Sequence, residues 1–256
     1  MPDLVLSNTT SFFSGNIEQV FKNAKKYGFK YVEIVPYRWI TAQQILSLQK
    51  KYGVTVAGIH LPVWWDASLR QILREKPGAL EKLFSCIFQV YLGDAKTSPG
   101  LKIAKALAYL DPYVLIHSNL ALEMGPEFEN ITSQFRVVVE NIASEFGPEK
   151  ILWDPITIKK ELGKRGIKGL VFDPGHFGQS ARNIPGLDAL ATYQLVTPEV
   201  VHISYNSRFN HLLPDEKEQE ELRAMLRLHK PKYLVIETNP LVSIKKAKKL
   251  LDQFTV

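Results

Sequence analysis

Eight short apolar runs, each followed by residues that recur at helical spacing, constrain the fold of this 256-residue chain more than any other feature. The runs are Leu4–Leu6, Tyr31–Val35, Val54–Ile59, Tyr113–Ile116, Phe135–Val139, Leu170–Phe172, Val200–Ser204 and Tyr233–Ile236. Between the first two, Ile17, Val20, Phe21, Ala24 and Tyr27 form a helical stripe that Gly28 closes. A helix through Ile45 and Leu48 ends at Tyr52-Gly53, and others are expected over Pro155–Lys164, Pro214–Arg227 and around Ala247 and Leu251. The strand starts lie mostly about 25–35 residues apart, the spacing of right-handed strand–helix–strand units. Eight such units predict an α/β chain folded as one (β/α)8 TIM barrel domain over residues 1–256. A doubly wound open sheet is the competing architecture. It lacks the glycine-rich phosphate loop expected after the first strand, where Ser7-Asn8-Thr9-Thr10-Ser11 stands instead.

In such a barrel all strand C-termini face one rim, where active sites are built. The third run delivers His60, the fourth His117 and the fifth Glu140. The sixth delivers Asp173 and, across a Pro-Gly turn, His176. The seventh carries His202, with His211 in its loop, and the eighth delivers Glu237. Each has an ordinary reading alone: Asp-Pro-Gly is a common turn, and a lone histidine at a strand end is usually a hydrogen-bonded structural residue. Together they ask for more. Glu140, Asp173 and Glu237 would point into one mouth, and buried carboxylates repel unless something neutralises them. A divalent metal ion is the economical partner, with His202 as the fourth ligand. Three carboxylates and one imidazole suit Mn²⁺, Mg²⁺ or Co²⁺, whereas the further histidines suit Zn²⁺. His229, beside Lys230-Pro231 at a helix end, needs only a cap or surface role.

The net charge of +6 is compatible with anionic partners, but much of it sits in lysine pairs such as Lys245-Lys246 on expected solvent-facing helices. The single cysteine, Cys86, excludes an internal disulfide and falls at core spacing. No apolar run approaches the roughly 20 residues of a membrane span. Met1-Pro2-Asp3 lacks the basic start of a secretion signal, so a cytoplasmic location is expected. Residues 61–110 form the longest gap between strands and are expected to be helical, either covering the mouth or packing outside the barrel.

The ordered set Val56–His60, Val114–His117, Val139-Glu140-Asn141, Val171–His176, Val201–Ser204 and Val235–Thr238 resembles the xylose isomerase-like barrels. That superfamily includes sugar and sugar-phosphate isomerases and epimerases, and endonuclease IV-type apurinic endonucleases. The resemblance implies a metal-dependent enzyme with Glu140, Asp173, His202 and Glu237 as ligands. In the epimerase branch it implies a carbohydrate substrate, with Glu140 and Glu237 also exchanging a proton through an enediolate. His60, His117, His176 and Arg208, six residues past His202, would then contact substrate, and Trp64, Trp65, Phe12, Phe13 and Tyr205 could wall the pocket. In the endonuclease branch the partner is DNA, and His60, His117, His176 and His211 would hold additional metal. Phe209 stands where that branch expects an aspartate. Barrels of this superfamily often form homodimers, and none is expected to act in a membrane.

Overall fold

The computed structural model describes residues 1–10, 16–66, 90–205, 212–239 and 241–254. Eight parallel strands close into a barrel in chain order. They are β1 (Asp3–Ser7), β2 (Tyr31–Ile34), β3 (Thr55–His60), β4 (Tyr113–His117), β5 (Arg136–Glu140), β6 (Gly169–Phe172), β7 (Val200–Ile203) and β8 (Tyr233–Ile236). The bounds differ from the sequence expectation by at most one residue at any strand end, where pairing and apolar character part company.

Alternation along the strands decides what faces where. Leu6, Val32, Ile34, Val114, Ile116, Val137, Val139, Val201 and Ile236 point outward into the layer shared with the helices. Val5, Tyr113, Leu115, Val138, Val171, Val200, Tyr233 and Val235 form a separate cluster inside the barrel. Two residues further along, the same inward parity reaches His117, Glu140, Asp173, His202 and Glu237. The chemistry-bearing residues are therefore the top interior layer, resting on an apolar plug. β3 needs one correction of parity. Its register against β2 shifts, Val32 pairing with Val56 but Glu33 with Gly58. The extra residue in β3 lets both Ala57 and His60, three apart, face the interior.

Helices cover the outside. α1 (Ile17–Tyr27) and α2 (Ala42–Tyr52) each begin with a side-chain cap, from Asn16 and Thr41, and each ends at a left-handed glycine. The helices that follow are α3 (Gly100–Ala106), α4 (Ser118–Glu123), α5 (Glu127–Gln134), α6 (Lys150–Trp153), α7 (Pro155–Gly163), α8 (Pro174–Asn183), α9 (Ala189–Val196), α10 (Glu216–Leu228) and α11 (Ile244–Asp252). α10 opens with a reciprocal capping box between Asp215 and Glu218. His229 ends that helix, its Nε2 2.9 Å from the Pro198 carbonyl, in line with a capping role. Of the expected cover over 61–110, residues 67–89 lie outside the described residues and the rest contains α3, while Phe12, Phe13, Cys86, Arg208 and His211 also lie outside them. No helix among the described residues is long and apolar enough to cross a membrane.

Candidate metal centre

Glu140, Asp173, His202 and Glu237 each present a ligand atom within 4.8 Å of the others, and all four are buried. Residues as far as 97 positions apart in the chain, Glu140 and Glu237, thus converge at one end of the barrel. β4 and β5 pair His117 directly with Glu140, so a second set forms beside the first. His60, His117 and Glu140 also fall within 4.8 Å of one another, and Glu140 belongs to both sets. The Nε2 atoms of His60 and His117 are 3.3 Å apart, and His117 Nε2 lies 3.7 Å from Glu140 Oε2.

The local sequence explains the aim of each group. Asp173 ends β6 and caps α8: its Oδ1 accepts from the His176 N–H at 2.8 Å, which leaves Oδ2 buried and without a hydrogen-bond partner. The Asp-Pro-Gly-His motif is thus both a turn and a helix start, with Pro174 at the first helical position. Gly175 is required by crowding, since a Cβ there would stand 2.4 Å from the Ser204 carbonyl oxygen at the end of β7. Asn141 ties β5 to β6. Its side chain accepts from the Asp173 N–H at 3.1 Å and donates to the Asp173 carbonyl at 3.2 Å.

His202 Nδ1 lies 2.7 Å from Glu237 Oε2 and 3.4 Å from Glu140 Oε2. Burial alone would lower the His202 pKa, but the Glu140, Glu33 and Glu237 carboxylates raise it well above the ordinary histidine value. Burial would raise Glu140, yet His202 and His117 hold it below the usual carboxylate range. His117 goes the other way: burial dominates and depresses it to about 4, so its ring is neutral and its lone pair available at neutral pH. Both Glu140 oxygens, Asp173 Oδ2, His202 Nδ1, His60 Nδ1 and His117 Nδ1 are buried without hydrogen-bond partners. Buried polar atoms without partners at this density, on carboxylate and imidazole side chains, fit a bound divalent cation.

His176 sits at the margin. Its Nδ1 is 2.9 Å from the Asn141 carbonyl, 3.5 Å from Glu140 Oε1 and 4.0 Å from Asp173 Oδ2, and it joins neither ligand set. Trp65 packs against the outer core and, with Leu101, Lys102, Lys105 and Phe135, lines a groove between α3 and α5. Trp64 is half-buried, its carbonyl accepting from the Ala95 N–H. Tyr205 is buried just past β7 and bridges to Leu212.

Sequence reasoning missed Glu33. It is fully buried on β2, its Oε2 3.2 Å from His202 Nε2, and it accepts from the Tyr113 hydroxyl at 2.8 Å. The signal was present: a carboxylate in the middle of Tyr31-Val32-Glu33-Ile34-Val35, at the same parity as inward-facing Tyr31.

No protein-family model matches the chain, and no curated protein matches it. Solved structures do. A family 2 AP endonuclease from Brucella melitensis superposes with a TM-score of 0.63 at 14% identity, over 100% of this chain and 98% of that one. The zinc-bound IolI protein gives 0.59 at 12% identity, over 99% and 96%. The apo 3-keto-D-glucoside 4-epimerase YcjR from E. coli gives 0.57 at 15% identity, over 100% and 99%. Closure of eight parallel strands in chain order, a metal-competent cluster at their ends and these full-length superpositions agree: the chain has the fold of the xylose isomerase-like TIM barrels.

Proposed function

We propose that the chain is a divalent-metal-dependent sugar or sugar-phosphate isomerase or epimerase. The observation that supports this reading is the convergence of Glu140 and Glu237 with Asp173 and His202 in one buried cluster. Asp173 and His202 would serve as ligands only. Glu140 and Glu237 would share the ion and keep an oxygen each for the substrate. A divalent cation held there supplies Lewis acidity at a carbonyl or hydroxyl oxygen. The chain's own part is proton transfer. Glu140, held ionised by its histidine neighbours, can take the proton from the carbon beside the carbonyl, giving an enediolate. Glu237 can return a proton to that carbon from its other side, which inverts it, or to the neighbouring carbon, which isomerises the sugar. The apolar layer beneath and the burial of both carboxylates keep bulk water from competing for the proton. The test is solvent deuterium incorporation into a panel of ketoses and their phosphates, followed by NMR. Exchange by the wild type, its loss in Glu140→Gln and loss of conversion in Glu237→Gln are the expected results. Full exchange in Glu140→Gln or full conversion in Glu237→Gln rejects the assignment.

The second ligand set favours one further reading. His60, His117 and Glu140 could hold a second cation beside the first, an arrangement suited to in-line displacement at a phosphodiester, as in cleavage of DNA at abasic sites. Metal content per chain and incision of an abasic duplex separate the two. His117→Ala should keep the ion of the four-residue set under the isomerase reading and lose a second ion under the endonuclease reading.

A further inference from the structure

We propose that Glu33 is the positioning residue of this centre: it holds the Nε2–H of His202 and so keeps the Nδ1 lone pair of that imidazole on the ligand set. The proposal rests on the reading that a cation occupies the cluster. A carboxylate accepts and cannot donate, and the contact of His202 Nε2 with Glu33 Oε2 at 3.2 Å has hydrogen-bond geometry, so Nε2 carries a proton. Nδ1 lies 2.7 Å from Glu237 Oε2 and 3.4 Å from Glu140 Oε2 but is aligned for a hydrogen bond to neither, so it is the nitrogen a cation would take, displacing any proton held there. Without Glu33 the imidazole has no partner on its lower edge and could turn or change tautomer.

Glu33 is itself fixed by a device that makes sense only if its position matters. Tyr113 reaches from β4 to donate its hydroxyl to the same Oε2 at 2.8 Å. Its ring passes over Gly58 of β3, where an added Cβ would stand 2.1 Å from the ring. Gly58 is also the residue at which the β3 register shifts against Glu33. The glycine, the shift and the tyrosine together clear a path to one carboxylate. The remaining oxygen, Oε1, is buried without a hydrogen-bond partner and lies 3.6 Å from His60 Nδ1. With its Nδ1–H turned to Glu33, His60 would direct Nε2 toward His117 and the second ligand set. One anion thus backs a histidine in each set, and its charge makes both imidazoles stronger donors.

The test reads metal, not turnover. Zn²⁺ affinity is measured by competition with a chromophoric chelator in the wild type, Glu33→Gln and Tyr113→Phe, and histidine tautomers by ¹⁵N NMR of the Zn²⁺-loaded wild type. Glu33→Gln should weaken Zn²⁺ binding about 10–100-fold. Tyr113→Phe should weaken it by less in the same direction, and His202 should appear as the Nε2–H tautomer. Zn²⁺ affinity in Glu33→Gln equal to wild type, or His202 as the Nδ1–H tautomer, overturns the proposal. If Glu33→Gln does not fold, the tautomer and the Tyr113→Phe titration decide. A wild type that binds neither Zn²⁺ nor Mn²⁺ overturns the metal centre itself. A wild type that binds, with unchanged variants, overturns only the role of Glu33.

Discussion

Asp173 shows how one side chain serves both architecture and chemistry. Oδ1 caps α8 through the His176 N–H, and Oδ2 is left for the cluster. Asparagine can keep the cap with its carbonyl oxygen but brings no charge and a weaker ligand. Asp173→Asn is therefore expected to retain its circular dichroism spectrum while losing the ion of the four-ligand set, as metal analysis after gel filtration would show. His202 makes a second residue-scale prediction. With no ion bound, its three carboxylate neighbours raise its pKa well above the ordinary value, so the ring is protonated at neutral pH. A cation must expel that proton to use Nδ1. Because the folded pKa is raised, proton competition is complete below it and fades as pH climbs through it. Apparent metal affinity should accordingly rise with pH through neutrality, by up to about tenfold per unit while one proton is displaced. Titration calorimetry in two buffers of different ionisation enthalpy would count the protons, and a count of zero contradicts the assignment.

At the level of elements, β3 shows what a sequence discloses and what it conceals. The strand ends His60, His117, Glu140, Asp173 and Glu237 are legible because each follows a short apolar run, and the closed barrel brings such ends together. The parity shift at Gly58 is not legible, because it arises from pairing with β2. Glu33 was hidden for a related reason. One carboxylate in an apolar run reads as a solvent-facing position, but strands of a closed barrel have no solvent face. The fate of residues 61–110 depends on tertiary packing that periodicity does not encode. The crowding at Gly58 can be tested against an uncrowded glycine. Gly58→Ala drives a methyl into the Tyr113 ring, whereas an added Cβ at Gly163, in α7, meets nothing within 4 Å. Overpacking costs about 1–3 kcal/mol, and each kcal/mol lowers Tm by about 2–4 °C in a chain of this size. Gly58→Ala should melt several degrees lower and bind Zn²⁺ more weakly. Gly163→Ala should melt at or slightly above the wild type. Equal melting of the two would remove the packing argument for Gly58.

Across the whole molecule, the charge distribution is inverted. The chain carries a net charge of +6, yet its barrel mouth buries Glu33, Glu140, Asp173 and Glu237 together. Protonated His202 offsets only part of that charge. The ligands come from the ends of four strands spread along the chain, from Glu140 to Glu237, with His60 and His117 further upstream. An unfolded chain cannot gather them, so the cation binds the native state almost alone, and its binding free energy becomes folding free energy. At a free metal concentration about 100 times the dissociation constant, this linkage is worth about 2.7 kcal/mol. For a chain of this length that corresponds to a rise in Tm of about 5–10 °C. Stripping the protein with a chelator should lower Tm by that amount, and adding back Zn²⁺ or Mn²⁺ should restore it. Asp173→Asn should melt at nearly the same temperature with and without chelator, because it has already lost the principal ion. If the wild type were equally indifferent to the chelator, the buried carboxylates would have to be stabilised by protons and histidines alone, and the mouth would be an ion-pair network with no place for a metal.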